Sequence, residues 1–231
     1  MSFLHLSRRR LLLSGGAASF MAFAPFPASF AAVDEADQPS AEEALQRLLA
    51  GNERYLNNQP HLRSAPDRAA LAAGQAPFAA ILACADSRVA PELVFDQGPG
   101  ALFVVRIAGN FVTDNVLASL EYAVALLNVP LVLVMGHSNC GAVSAALDAV
   151  REGASFPGEI GLLAQRIEPA IADLLRELPE GSLDEAVEEN SRRAAQQLAT
   201  EGGILPPRLK EGRLQVAAAV HSLADGRVRL L

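Results

Sequence analysis

Tryptophan is missing from this chain, tyrosine occurs twice, and aromatic residues make up only 5% of it. Lysine and arginine together number 19 against 26 aspartates and glutamates, a formal net charge of −7. There is no cluster of basic residues with aromatics between them. That excludes the charged groove and stacking platform by which nucleic acids are held. Cysteine occurs only twice, at Cys84 and Cys140. Two cysteines cannot form the multiply bridged framework of a small secreted scaffold, nor a four-cysteine structural zinc site. Internal repeats, low-complexity tracts and any composition shift that would mark a second domain are also absent. What remains is a globular composition, 51% hydrophobic over 231 residues, enough to bury one α/β core.

The N-terminus reads as a targeting segment. Ser7-Arg8-Arg9-Arg10-Leu11-Leu12 opens a run of apolar and small residues that reaches about Ala32. A charged start, an apolar middle and a small-residue end make an export signal, here of the twin-arginine kind. Ser29-Phe30-Ala31 offers the cleavage pattern, so residues 1–31 are expected to be removed and the mature chain to be periplasmic. The competing reading, a retained membrane anchor, is weakened by Gly15, Gly16, Pro25 and Pro27, which interrupt the run. Residues 1–31 carry three arginines and no acid, so without them the formal charge of −7 becomes −10. Residues 32–39 read as an acidic linker, and residues 40–231 as one domain with an N-terminal helical arm.

Within that domain, Ser40 and Glu43 form a capping box ahead of Ala44, Leu45, Leu48 and Leu49, which predicts a helix ending at Gly51-Asn52 or extending to Tyr55-Leu56. Ser182 and Glu185 form a second capping box, opening a helix to about Thr200. Helices are also expected over 115–127, 141–152 and 160–178, the last with a break near Pro169. Phe78 to Ala83, Leu102 to Val105, Pro130 to Met135 and Leu214 to Val220 are short runs, apolar almost throughout. Such runs suit strands covered on both faces, so the alternation predicts an α/β fold with a mainly parallel sheet.

Two of these strands end in reactive residues, Cys84-Ala85-Asp86-Ser87-Arg88 and Gly136-His137-Ser138-Asn139-Cys140-Gly141. Ligand sites in parallel sheets lie beyond the carboxyl ends of the strands. On cysteine count alone, an exported chain with two cysteines suggests a disulfide. A disulfide leaves His137, Asp86 and Arg88 unexplained. Zinc takes thiolate and imidazole ligands, and His137 with Cys140, three residues apart at a strand-to-helix turn, can converge on one point with Cys84. Three protein ligands leave a fourth position open, as catalytic zinc sites do. His61 and His221 are the other histidines of the mature chain.

These motifs resemble the β-class carbonic anhydrases. The segment from Leu102 to Asn110, the stretch Leu120-Glu121-Tyr122-Ala123-Val124 and the C-terminal Val220…Gly226-Arg227-Val228 extend the resemblance over most of the mature chain. The resemblance implies a β-carbonic-anhydrase-like fold and one Zn2+ on Cys84, His137 and Cys140. It also implies reversible hydration of CO2 to bicarbonate and a proton by hydroxide generated at the metal, and a homodimer or a higher assembly of dimers. It assigns Asp86 and Arg88 as a catalytic dyad. Asp86 either accepts a hydrogen bond from the nucleophile or binds the metal itself in a closed state, and Arg88 holds the carboxylate off the metal. Gln75, Tyr122 and Gly109 are candidate substrate-binding positions, although Gln75 also reads as a loop residue, Tyr122 as a half-buried helix residue and Gly109 as a tight turn. Arg106 reads as structural. Leu126 stands where plant members carry a shuttling histidine, Ala101 where many members carry an acid, and the missing tryptophan removes the pocket of bicarbonate-inhibited members. Two other functions fit the same motifs, a zinc hydrolase of COS or CS2 and an exported, non-catalytic zinc- or bicarbonate-binding module. No nucleic-acid partner is expected, nor a membrane partner for the mature form.

Overall fold

The computed structural model describes residues 34–61 and 68–231. The expected export signal lies outside the described residues. Among those described, a five-stranded sheet runs in the order β2-β1-β3-β4-β5. The strands are β1 (Ala79–Ala83), β2 (Leu102–Arg106), β3 (Leu131–His137), β4 (Gln215–His221) and β5 (Val228–Leu230). The first four pair in parallel, and β5 closes the far edge antiparallel to β4. The mainly parallel sheet read from the sequence is therefore what the chain forms.

Period-two alternation divides the core between the two faces. Ala79, Ile81, Ala83, Leu131, Leu133 and Met135 pack on one side with α1 (Ala41–Leu56) and α3 (Pro91–Val94). Ala80, Leu82, Val132 and Val134 point the other way, onto α4 (Asp114–Leu126), α7 (Leu183–Thr200) and α8 (Leu205–Lys210). Side chains one residue apart on a strand face opposite sides, so only a strand apolar at every position can feed both cores. β2 departs from this, since residues 102–105 read as apolar as β1 but are only half-buried at the sheet edge, and β4 is likewise half-buried over 215–217.

The connections place the site. From β1 the chain crosses through α3 to β2 on one side, then returns through α4 on the opposite face to β3 on the other side of β1. The carboxyl ends of β1 and β3 thus flank the point where the winding reverses, the crevice in which open α/β sheets bind ligands. α5 (Gly141–Glu152) and α6 (Ile160–Glu177) cover that end with α7, in a third apolar cluster that includes Cys84 and Cys140.

α1 takes the longer of its two expected ends and continues past Gly51 to Leu56; two other local expectations are corrected, at Pro169 and in the acidic lead-in. Gly51 is a point of close approach, since a Cβ there would lie 1.8 Å from the Phe95 carbonyl oxygen. Asn52 is buried and links three segments. Its Nδ2 donates to the carbonyls of Val94 and Gly226, and its Oδ1 accepts from the Val228 amide. α6 runs through Pro169 without a break. The acidic lead-in is docked: Glu35–Asp37 form a 3-10 turn, and Gln38 Nε2 donates to the carbonyls of Pro77 and Leu127. Short α2 (Arg68–Ala73) precedes β1. No helix among the described residues is long and apolar enough to cross a membrane.

Candidate metal centre

β1 ends at Ala83, so Cys84 leaves the sheet at once and its side chain is carried beyond the strand ends. His137 is the last residue of β3, and Cys140 is the N-cap of α5, with Asn139 at φ +54° making the sharp turn between them. The ligand atoms of Cys84, His137 and Cys140 lie within 4.8 Å of one another, and all three residues are buried. The two sulfurs are 4.0 Å apart and the cysteines are free. A tetrahedral ion with metal–sulfur bonds of about 2.3 Å sets its two thiolates roughly 3.8 Å apart, so the spacing suits a bridging metal.

The donor chemistry agrees with that spacing. His137 Nδ1 lies 3.0 Å from the Ser138 carbonyl oxygen, the partner that fixes the proton on Nδ1 and leaves the lone pair on Nε2. Nε2 is buried and has no hydrogen-bond partner. A buried polar atom left unpaired is costly, and a metal ion removes that cost. The hydrogen bond with Cys140 pulls the Cys84 thiol well below its ordinary value, helped by His137 and the Gly109 amide. Cys140 is in turn pushed up by Cys84 and by burial, although the Ala142 and Val143 amides of the first turn of α5 oppose this. Burial works against the charged form of His137, but the adjacent Cys84 thiolate, the Ser138 carbonyl and Asp86 outweigh it and leave its pKa raised. The centre of the cluster therefore attracts positive charge.

Asp86 and Arg88 sit beside the three donors. Arg88 Nε donates to Asp86 Oδ1 at 2.9 Å and Nη2 to Oδ2 at 2.7 Å, a bidentate pair, while the Arg88 amide donates to Oδ1 at 2.9 Å. These hydrogen bonds hold the Asp86 carboxyl well below the usual carboxylate range. Oδ2 is 3.8 Å from His137 Nε2, so the carboxylate borders the point on which the donors converge.

Among the remaining candidates, Gly109 faces the ligands directly. Its amide donates to Cys84 Sγ at 3.2 Å. Its φ is +83°, a conformation that favours glycine, and a Cβ there would also displace the end of the Ile167 side chain, 2.5 Å away at Cδ1. Tyr122 is partly exposed on α4 and stacks on Phe103 of β2 with ring centroids 6.1 Å apart. Gln75 is exposed in the segment before β1. Sequence reasoning missed two supporting residues. Ser138 fixes the His137 ring through its carbonyl and also donates its amide to His221 O at 3.0 Å. Asn190 of α7 is buried and donates to Gly109 O at 2.8 Å, bracing the turn whose amide contacts Cys84. A lone Asn within a helix carries no spacing signal, and only the packing of α7 against this end of the sheet reveals it.

Residues 79–228 match the family model described as carbonic anhydrase. Over 189 residues the chain is 41% identical to carbonic anhydrase 2 of Mycobacterium tuberculosis, covering 81% of this chain and 91% of that protein. A carbonic anhydrase of Mycolicibacterium smegmatis is 39% identical over the same length, with the same coverage. Among solved structures, a Coccomyxa β-carbonic anhydrase in complex with acetazolamide superposes with a TM-score of 0.62 at 28% identity, covering 82% of each chain.

Proposed function

Because this chain belongs to the β-class carbonic anhydrases, we propose that it hydrates CO2 reversibly to bicarbonate and a proton at a zinc ion held by Cys84, His137 and Cys140, with Asp86 and Arg88 as the working dyad. The observation that carries the reading is the convergence of three buried donors beside a carboxylate already bound on its other side by Arg88. Zinc, when bound, lowers the pKa of a coordinated water to about 7, as known for carbonic anhydrases with three histidine ligands, and so supplies hydroxide near neutral pH.

The rest falls to the chain's own groups. Asp86 Oδ2 accepts a hydrogen bond from the attacking oxygen and orients it toward the CO2 carbon. Arg88 occupies the carboxylate from the other side, so Asp86 stays an anion and stays off the metal. Ser138 O keeps the His137 proton on Nδ1. The Gly109 amide stabilises Cys84 as thiolate. Gln75 and Tyr122 remain candidate substrate contacts.

Metal analysis with stopped-flow CO2 hydration tests the proposal. One zinc per chain with turnover at about pH 8.5 is expected, and one zinc with no hydration there would sink it. The same assay with COS or CS2 separates this reading from the hydrolase alternative. We further propose a periplasmic location through the twin-arginine route and a dimeric assembly. Unchanged export after replacing Arg8 and Arg9 by lysine would refute the first, and a monomer in sedimentation velocity the second.

A further inference from the structure

Arg106 ends β2 opposite Ala83 of β1, and its side chain crosses to the turn that follows β1. Nε donates to the Cys84 carbonyl at 3.0 Å and Nη2 to the Asp86 carbonyl at 2.6 Å. The two carbonyls bracket Ala85, so one planar guanidinium spans the whole step from the metal ligand to the acid. The Asp86 carbonyl also accepts from the Val89 amide at 3.0 Å. Asp86 is thus held twice, its carboxylate by Arg88 and its main chain by Arg106. The ring of contacts closes through the sheet, because Ile107 donates its amide to Ala83 O and accepts from the Ala85 amide.

We infer that Arg106 is a positioning residue: by clamping the carbonyls of Cys84 and Asp86 from the neighbouring strand, it fixes where the Asp86 carboxylate sits relative to the metal donors. Three contacts hang on this turn: the Cys84 donor, the Asp86 acceptor and the Arg88 pair. A rigid fork constrains two carbonyls at once, whereas an ammonium on a flexible stem does not. Arg106 is exposed, so replacing it does not open the core. The inference rests on the proposed role of Asp86.

The test compares Arg106→Met and Arg106→Lys with a control, Arg192→Gln, which breaks exposed ion pairs to Glu188 and Glu189 elsewhere. Zinc content, kcat and KM for CO2 hydration are measured on the holoenzyme, and amide exchange across residues 84–89 on the metal-free chain. Arg106→Met is expected to keep its zinc and lose about 10- to 100-fold in kcat, the usual cost of removing a supporting contact, with KM within about twofold. Arg106→Lys, which keeps the charge but not the fork, falls between. Exchange of the Val89 amide, which shares the Asp86 carbonyl, accelerates about tenfold or more in Arg106→Met. The control matches the parent in every measurement. A kcat for Arg106→Met within about twofold of the parent, a loss confined to KM, or unchanged Val89 exchange overturns the inference. The exchange arm needs no turnover, so a chain that fails to hydrate CO2 refutes the proposed reaction while the clamp is still decided.

Discussion

Gly136 stands one residue before the candidate ligand His137, near the carboxyl end of a fully buried strand. A Cβ at this position would lie 2.4 Å from Ser191 Oγ and 3.0 Å from Val187 Cγ1 on α7. Both side chains are short, and Ser191 Oγ is held by its hydrogen bond to Val187 O, so room for a methyl costs that hydrogen bond or a shift of α7 against β3. Gly136→Ala is expected to destabilise the chain by about 1–3 kcal/mol in urea unfolding, the usual range for overpacking. Adding Ser191→Ala removes the nearer obstacle and should recover part of the loss; strictly additive costs would show that this contact is not the cause. The same residue scale shows why the donors were legible and their supports were not. Cys84, Asp86, Arg88, His137 and Cys140 fall in two short motifs directly after apolar runs, so spacing and strand position together identify them. Ser191, Asn190 and the Ser138 carbonyl act through single contacts from residues far away in sequence or from main-chain atoms, and neither leaves a pattern in a chain read alone.

At the scale of elements, helix starts were easier to read than helix ends. Both capping boxes form as the Ser-x-x-Glu spacing requires: Ser182 Oγ accepts from the Glu185 amide and the Glu185 carboxylate accepts from the Ser182 amide, with the same exchange at Ser40 and Glu43. The end of α1 could not be read, because Gly51 looks the same in sequence whether it stops a helix or lets one touch the Phe95 carbonyl. Residues 102–105 of β2 are as apolar as β1, and only strand order distinguishes an edge from a centre. β5 is three residues long and too short to show a period. The caps make a pH-dependent prediction. Hydrogen bonds from the Ser182 main chain and side chain lower the Glu185 pKa from 4.5. A carboxylate with a depressed folded-state pKa stabilises the fold above its unfolded value, and that contribution disappears as pH falls through the folded value. Glu185→Gln, which keeps an acceptor but not the charge, should therefore melt below the parent near neutral pH. The gap should close between about pH 5 and pH 3, and a gap that persists unchanged in acid would place the effect elsewhere than in the charge. Ser182→Ala, which removes the cap and the hydroxyl that also donates to the Glu185 carboxylate, should cost about 1 kcal/mol near neutral pH and less in acid, where Glu185 is protonated.

For the whole molecule, the three candidate donors come from parts that the sheet alone does not hold together. Cys84 follows β1, His137 ends β3, and Cys140 begins α5, which with α6 lies in the third apolar cluster, while α7 is shared between that cluster and the core on the α4 face of the sheet. An ion bound to all three therefore connects two central strands to the helical layer over their carboxyl ends. Binding to the native state alone stabilises it by an amount set by free metal over Kd, about 4 kcal/mol at a thousandfold excess. For a chain of this size, 1 kcal/mol corresponds to roughly 2–4 °C, so full chelation should lower Tm by about 8–16 °C and added zinc should restore it. Hydrogen exchange should show the loosening first in α5 and at the ends of β1 and β3, while the interior of β3 and the α1 face stay protected. A Cys140→Ser chain supplies the control, because its melting point should respond far less to chelator or zinc. If the parent's Tm also stays fixed while its metal is removed, the three donors do not couple the helical layer to the sheet, and the stability of that end of the molecule belongs to the apolar packing of Ile167, Ile171 and Val187 alone.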